Sequence, residues 1–105
     1  MIVKCKDKEI FFNEDCICYL SFFKKEIKIN YSDIKNVEFK INIYRLKVDD
    51  MSKIVSLKIY TYNNKKYYCS INYDDNGKVE SFLRSKNIKI SKKFSESLPC
   101  DSYGD

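Results

Sequence analysis

Cys16-x-Cys18 is the shortest spacing in this chain at which two reactive side chains share a fixed geometry. In a β-strand, residues two apart point to the same face, so a strand here brings two thiols side by side. Zinc needs four nitrogen or sulfur ligands in a tetrahedral array, and a bare C-x-C with no second pair and no histidine lacks half of them. Cys5, Cys69 and Cys100 are scattered, and five cysteines are an odd number without framework spacing. The pattern reads as reduced thiols acting as small hydrophobes, with no metal site and no disulfide framework.

Catalytic machinery has little to stand on. Without histidine the commonest general base is missing, and no Ser-His or Cys-His pair can form. A carboxylate dyad has to come from Asp33, Asp49, Asp50, Asp74 or Asp75, and all five read as loop or cap residues. With Gly77 and Gly104 as the only glycines, no glycine-rich phosphate loop can be built. The expectation is a protein that is not an enzyme and uses no cofactor.

Two groups of residues fit binding instead. Lys24, Lys25 and Lys28 lie at and after a short turn, and a phosphate site needs several cations converging on one point. Glu26 interrupts them and no arginine joins them, so a solvated, lysine-rich turn is the simpler reading. Lys65-Lys66 at another turn reads the same way and guards a sheet edge. Tyr60, Tyr62 and Tyr68 fall on the face opposite the apolar positions of their strands, and a hairpin brings them together. Clustered exposed aromatics mark an interaction surface, while cross-strand aromatic packing, or a helix lying over them, is the competing explanation.

The elements that hold these residues are mostly strands. Apolar and polar residues alternate in Glu26–Tyr31, Val37–Ile43, Val55–Ile59 and Tyr67–Tyr73, the mark of antiparallel strands with one face buried. Short polar joints, Asn13-Glu14-Asp15, Lys24-Lys25, Asp49–Ser52 and Asn63-Asn64, make sequence neighbours pair as a meander. The apolar phase flips between Ile43 and Tyr44, which predicts a bulge where one long strand leaves one sheet for another. A single helix is predicted over about 76–87. Asp74-Asp75-Asn76 caps it, Val79, Phe82 and Leu83 form its apolar stripe, and Asn87 is the left-handed stop. Residues 1–90 form one domain on this reading, and 91–105 a polar, flexible tail.

Composition agrees. Ile, Tyr, Phe and Val dominate and alanine is absent, a bias toward strands. The net charge of +5 comes from eighteen lysines against two arginines, spread evenly along the chain. AT-rich coding produces the same excess, and two arginines argue against base-specific nucleic-acid recognition. No apolar run is long enough to span a membrane, and Met1–Lys6 lacks the apolar core of a signal peptide, so a cytoplasmic protein is expected.

The order of these pieces resembles the bacterial PH-like domains of the pleckstrin-homology superfold. The resemblance rests on Phe11–Ile17, on Phe22-Phe23-Lys24-Lys25 and on Ile29–Val37 with its Tyr31-Ser32-Asp33-Ile34 step. It continues through the hairpin Ile59–Tyr68 and the helix Val79–Lys86, covering roughly residues 9–90. It implies an antiparallel, strongly bent sheet or partly open barrel of about seven strands with one C-terminal helix. Two departures stand out: Ile2–Lys6 adds or extends a first strand, and the helix is short. The function expected is a non-catalytic binding module for a protein partner or a second copy of itself. The alternative is an anionic ligand, such as a phospholipid headgroup, held by Lys24, Lys25 and Lys28.

Overall fold

The computed structural model describes residues 1–5, 8–21, 23–47 and 50–97, with side chains for all of these except 43–53 and 95–97. They form two four-stranded sheets and one helix. The first sheet is an antiparallel meander of β1 (Ile2–Cys5), β2 (Lys8–Phe12), β3 (Cys16–Leu20) and β4 (Glu26–Asn30). The second contains β5 (Ile34–Lys47), β6 (Asp50–Thr61), β7 (Lys66–Asn72) and β8 (Lys89–Ser97), in the order β7-β6-β5-β8. The mostly-β class with a C-terminal helix agrees with the sequence. The strongly bent sheet or partly open barrel of about seven strands is replaced by two sheets of four, eight strands among the described residues.

The alternation in the sequence becomes the core directly. Val3, Ile10, Phe12, Ile17 and Ile29 of the first sheet face Val37, Phe39, Ile41, Val55, Leu57, Ile59 and Ile71 of the second, all nearly without solvent exposure. α1 (Asn76–Ser85) adds Val79 and Leu83 to this core. Its Phe82 ring meets Phe12 edge-on at 6.1 Å and Tyr31 at 5.8 Å, so the helix closes the end of the sandwich where β2 finishes. Asn87, at φ 63°, is the left-handed stop that the sequence predicts. The Asn87 N–H donates to the Arg84 carbonyl and the Ile88 N–H to that of Leu83, with Ile88 buried beside them, which is a Schellman motif. At the other end the acidic cap does not form. A 3-10 turn (Tyr73–Asp75) runs straight into the helix, and Asp75 makes no side-chain capping bond.

Three expectations need correction. The chain changes sheets at a 3-10 turn, Tyr31–Asp33, between β4 and β5, and not at Ile43-Tyr44. The β5–β6 register is unbroken from Asn36 to Arg45, and the irregularities lie at Ile34/Asn36 and Arg45/Lys47. The first of these lets Ile34 and Val37, three residues apart, both point inward. The loop expected at Asp49–Ser52 is also shorter, because β6 already begins at Asp50; Asp49 lies outside the described residues.

Beyond residue 90, where the sequence suggests a tail, Lys89–Ser97 is a strand. It pairs parallel to β5 from Asn36↔Lys89 to Tyr44↔Ser97. A parallel partner returning from a helix is not part of a meander. Residues 98–105 lie outside the described residues. No helix among the described residues is long and apolar enough to cross a membrane.

Candidate functional site

The outer face of the second sheet is built by register. Tyr68, Lys58, Glu38 and Ser91 stand in one row across β7, β6, β5 and β8. Lys66, Tyr60, Asn36 and Lys89 form the next row, and Ser70, Ser56, Lys40 and Lys93 the row on the other side. Diagonal positions on one sheet face lie within reach of long side chains. The Lys58 amine accordingly sits 5.3 Å from the Tyr60 ring and 5.6 Å from that of Tyr68, and the Lys66 amine is 5.8 Å from Tyr60. A side-chain hydrogen bond with Tyr60 holds Lys58 above its ordinary pKa, with further support from the Tyr60 and Tyr68 rings' hydroxyls. Glu38 takes Lys93 at 3.2 Å.

The three tyrosines of the sequence reading occupy different places. Tyr60 and Tyr68 flank Lys58 in the sheet, while Tyr62 lies past the end of β6 in the hairpin turn. There Asn64 takes the left-handed conformation (φ 66°) and Thr61 hydrogen-bonds to Lys65 in both directions. The helix does not cover this face, since Tyr62 is 68% exposed and Tyr68 63%. Lys58, absent from the residues singled out in the sequence, is the centre of the group. Its position two residues before Tyr60 in an alternating strand already placed it on the same face.

Lys24, Lys25 and Lys28 lie on the β3–β4 turn and on the strand that follows it. Lys24 is at the tip of a tight turn in the left-handed region (φ 61°), closed by hydrogen bonds between Ser21 and Lys25. The Lys24 and Lys25 N–H groups both donate to Ser21, so neither is available to an anion. Lys28 lies within β4 opposite Cys18, three residues beyond the turn. Phe22 lies outside the described residues.

Cys16 and Cys18 do share a face, with sulfurs 3.7 Å apart and the Asn13 amide donating to both. Register puts that face on the outside of the first sheet, in a row with Ile2, Phe11 and Lys28. Burial, and then the hydrogen bond with Cys16, raise the Cys18 pKa. Among the described residues no group of three His, Cys, Asp or Glu side chains is placed to hold a metal. Of the candidate carboxylates, Asp33 and Asp74-Asp75 lie in two separate 3-10 turns, with Asp75 salt-bridged to Lys78 at 3.3 Å.

A cleft of about 490 Å³ opens between the sheets. Cys5, Ile10, Tyr19 and Leu20 line it from the first sheet and Ile54, Ser56, Tyr68, Cys69 and Ser70 from the second, with Lys8 and Glu9 also on the wall. Burial, and then the Cys5 thiol nearby, push the Cys69 thiol up to about 12. No local pattern of residues announces this cleft, because a void is made where two distant segments fail to meet. A second, more polar depression of about 430 Å³ lies at the helix end, lined by Glu14, Asp15, Asn30, Tyr31, Ser32 and Lys86. Burial, and then the Cys16 and Cys18 thiols and Asp15, raise the Tyr31 pKa, and the Tyr31 hydroxyl donates to the Asn13 carbonyl at 2.7 Å. Compared with models of protein families and with curated protein sequences, the chain matches neither a family nor a curated protein.

Proposed function

We propose that this chain is a non-catalytic cytoplasmic binding module of PH-like architecture, whose outer sheet face holds an acidic protein partner. The uncovered Tyr60–Lys58–Tyr68 arrangement carries this reading. Two aromatic rings supply apolar contact area at low entropic cost, and lysines on the same face supply a positive field. Lys40, Lys58, Lys66, Lys89 and Lys93 stand on it against Glu38 alone among the described carboxylates in these rows. Self-association through this face would set lysines against lysines, so a partner of opposite charge is favoured over a second copy. The PH-like reading is supported by the meander of strands followed by a helix that closes one end. β1 and the parallel β8 are additions to that plan. The absence of histidine from the chain supports a non-catalytic role.

The experiment is capture from the native host with the wild-type protein and with Lys58→Glu and Tyr68→Ser. The expected result is an acidic protein retained at low salt, released as salt rises, and lost with both variants. Capture that survives both substitutions overturns the reading. So does binding of anionic vesicles or oligonucleotides, at low salt, that exceeds binding of any protein and is unaffected by either variant.

A further inference from the structure

The two ends of the sandwich are finished differently. Phe12, at one end of β2, is covered by Phe82 of the helix. Lys8, Glu9 and Ile10, at the other end of the same strand, line the open cleft of about 490 Å³. Small side chains are part of the cause, because Cys5 and Cys69 stand where the two sheets approach and neither is large enough to fill the gap. Protein interiors rarely leave unfilled space much larger than a water molecule. A cleft of this volume falls within the range of roughly 300–1,000 Å³ typical of small-molecule sites.

Tyr19 shows that the cleft is more than a packing fault. It sits on the inner face of β3, in register with Ile10 on one side and Ile27 on the other, and is only 9% exposed. Phenylalanine would serve that packing equally well. The hydroxyl of Tyr19 nevertheless has no hydrogen-bond partner among the described residues, although Tyr19 lines the cleft. Cys69, itself on the cleft wall, and Tyr67 are the polar side chains whose fields reach the phenol. Buried polar groups in folded proteins are nearly always satisfied, and a lone one facing a cavity calls for a partner from the cavity side.

The character of that partner follows from the walls. Cys5, Ile10, Leu20, Ile54 and Cys69 are apolar, Ser21, Ser56 and Ser70 add neutral hydroxyls, and Lys8 and Glu9 contribute one charge of each sign, so there is no net field to draw in an ion. We propose that the cleft binds a small, neutral, largely apolar molecule whose carbonyl-type oxygen accepts a hydrogen bond from the Tyr19 hydroxyl. This site opens beside the outer-face surface and shares Ser56, Tyr68 and Ser70 with it, while Cys5, Ile10, Tyr19 and Cys69 belong to the cleft alone.

The test uses the full chain, the apolar fluorescent probe N-phenyl-1-naphthylamine, and two nearly isosteric competitors. Benzophenone carries a carbonyl where diphenylmethane carries a methylene. Tyr19→Phe keeps the ring and removes the hydroxyl. It should weaken benzophenone by about 2- to 12-fold, the net worth of one hydrogen bond, and leave diphenylmethane unchanged. Leu20→Trp, at an exposed position on the wall, should narrow the cleft and weaken both competitors together. Circular dichroism and melting curves establish that each variant is folded, and Leu20→Trp carries the test if Tyr19→Phe is not. The proposal is overturned if the wild-type protein does not bind the probe, which would mean that water alone satisfies Tyr19. Equal effects of Tyr19→Phe on the two competitors, or no effect of Leu20→Trp on either, overturn it as well.

Discussion

Glu80 of the helix accepts a salt bridge from Lys92 of β8 on one carboxylate oxygen while Arg84, one turn along the helix, bonds the other at 2.9 Å. The Lys92 contact ties α1 to β8, the strand that follows it. The hydrogen bond from Lys92, and then that from Arg84, hold the carboxyl below its ordinary pKa. A lowered acid pKa contributes stability that is fully present above the unfolded value and is lost as pH falls through the folded one.

Glu80→Gln should therefore cost about 0.5–1 kcal/mol near neutral pH, a modest figure because Arg84 and Lys92 are both partly exposed and screened. The difference from wild type should be constant above about pH 5.5. It should shrink as pH falls from the ordinary 4.5 toward more acid values, where the native carboxylate is itself protonated. Urea titrations at pH 7, 4.5 and 3 measure this directly. A penalty that stays constant across all three would show that Glu80 acts by packing and not by charge.

Lys24 offers a gain rather than a loss. A residue with a Cβ in the left-handed region is strained by about 1–2 kcal/mol, and glycine removes that strain while adding backbone entropy to the unfolded chain. Lys24→Gly should thus be stabilising by about 0.5–1 kcal/mol. Asn64→Gly should gain less, because asparagine already tolerates this conformation. Paired thermal melts of the two variants test the order. If Lys24→Gly lowers the melting temperature, the side chain is doing something at that turn beyond occupying it.

How much of this was legible in the sequence depends on the range of each interaction. Strict alternation around Ile27-Ile29, Val37–Ile41 and Val55–Ile59 displayed the inner faces, because a strand's faces are a local property. Asn64 and Asn87 announced a turn and a helix stop for the same reason. The change of sheet was misplaced although a signal was present. Ile34 and Val37 are three apart and both buried, a phase break as visible as the one at Ile43-Tyr44. β8 was not legible. Ser91-Lys92-Lys93 reads as solvent, and what makes it a strand is a parallel partner some fifty residues earlier in the chain. The Lys58–tyrosine group was half visible as three tyrosines. The cleft was not visible at all, since the space between Tyr19 and Cys69 depends on how two sheets approach.

Leu83 measures what the helix contributes. Its side chain is fully buried, and it sits where the Schellman motif ends the helix. Leu83→Ala should destabilise by about 2–5 kcal/mol through lost burial and the cavity left behind. In a domain of this size each kcal/mol lowers the melting temperature by about 4–8 °C. Arg84→Ala, one residue along and exposed, is the control and should cost less than 1 kcal/mol. A similar loss from both substitutions would mean that the helix is held by its charges.

Alkaline pH should unfold this protein through groups that are buried neutral. Cys69 is pushed up to about 12, and burial also raises Tyr19 and Tyr31 well above their ordinary 10. For these acids the neutral form is the folded one, so their contribution is complete below the unfolded values, near 9 for the thiol and 10 for the phenols. It is lost as pH rises through the raised native values. Urea stability should be flat from pH 7 to about 9 and then fall steadily toward 12. Cys69→Val removes one of the three groups and should make that fall shallower without changing stability much at pH 7. Alkylation with iodoacetamide at pH 8 gives an independent reading of the same burial. Among Cys5, Cys16, Cys18 and Cys69, the partly exposed Cys18 should react first despite its raised pKa, Cys69 more slowly because its thiol is pushed up to about 12, and the buried Cys5 and Cys16 only as the protein opens. Modification of Cys69 in the native protein as fast as that of Cys18 would contradict the raised thiol and the alkaline prediction that rests on it.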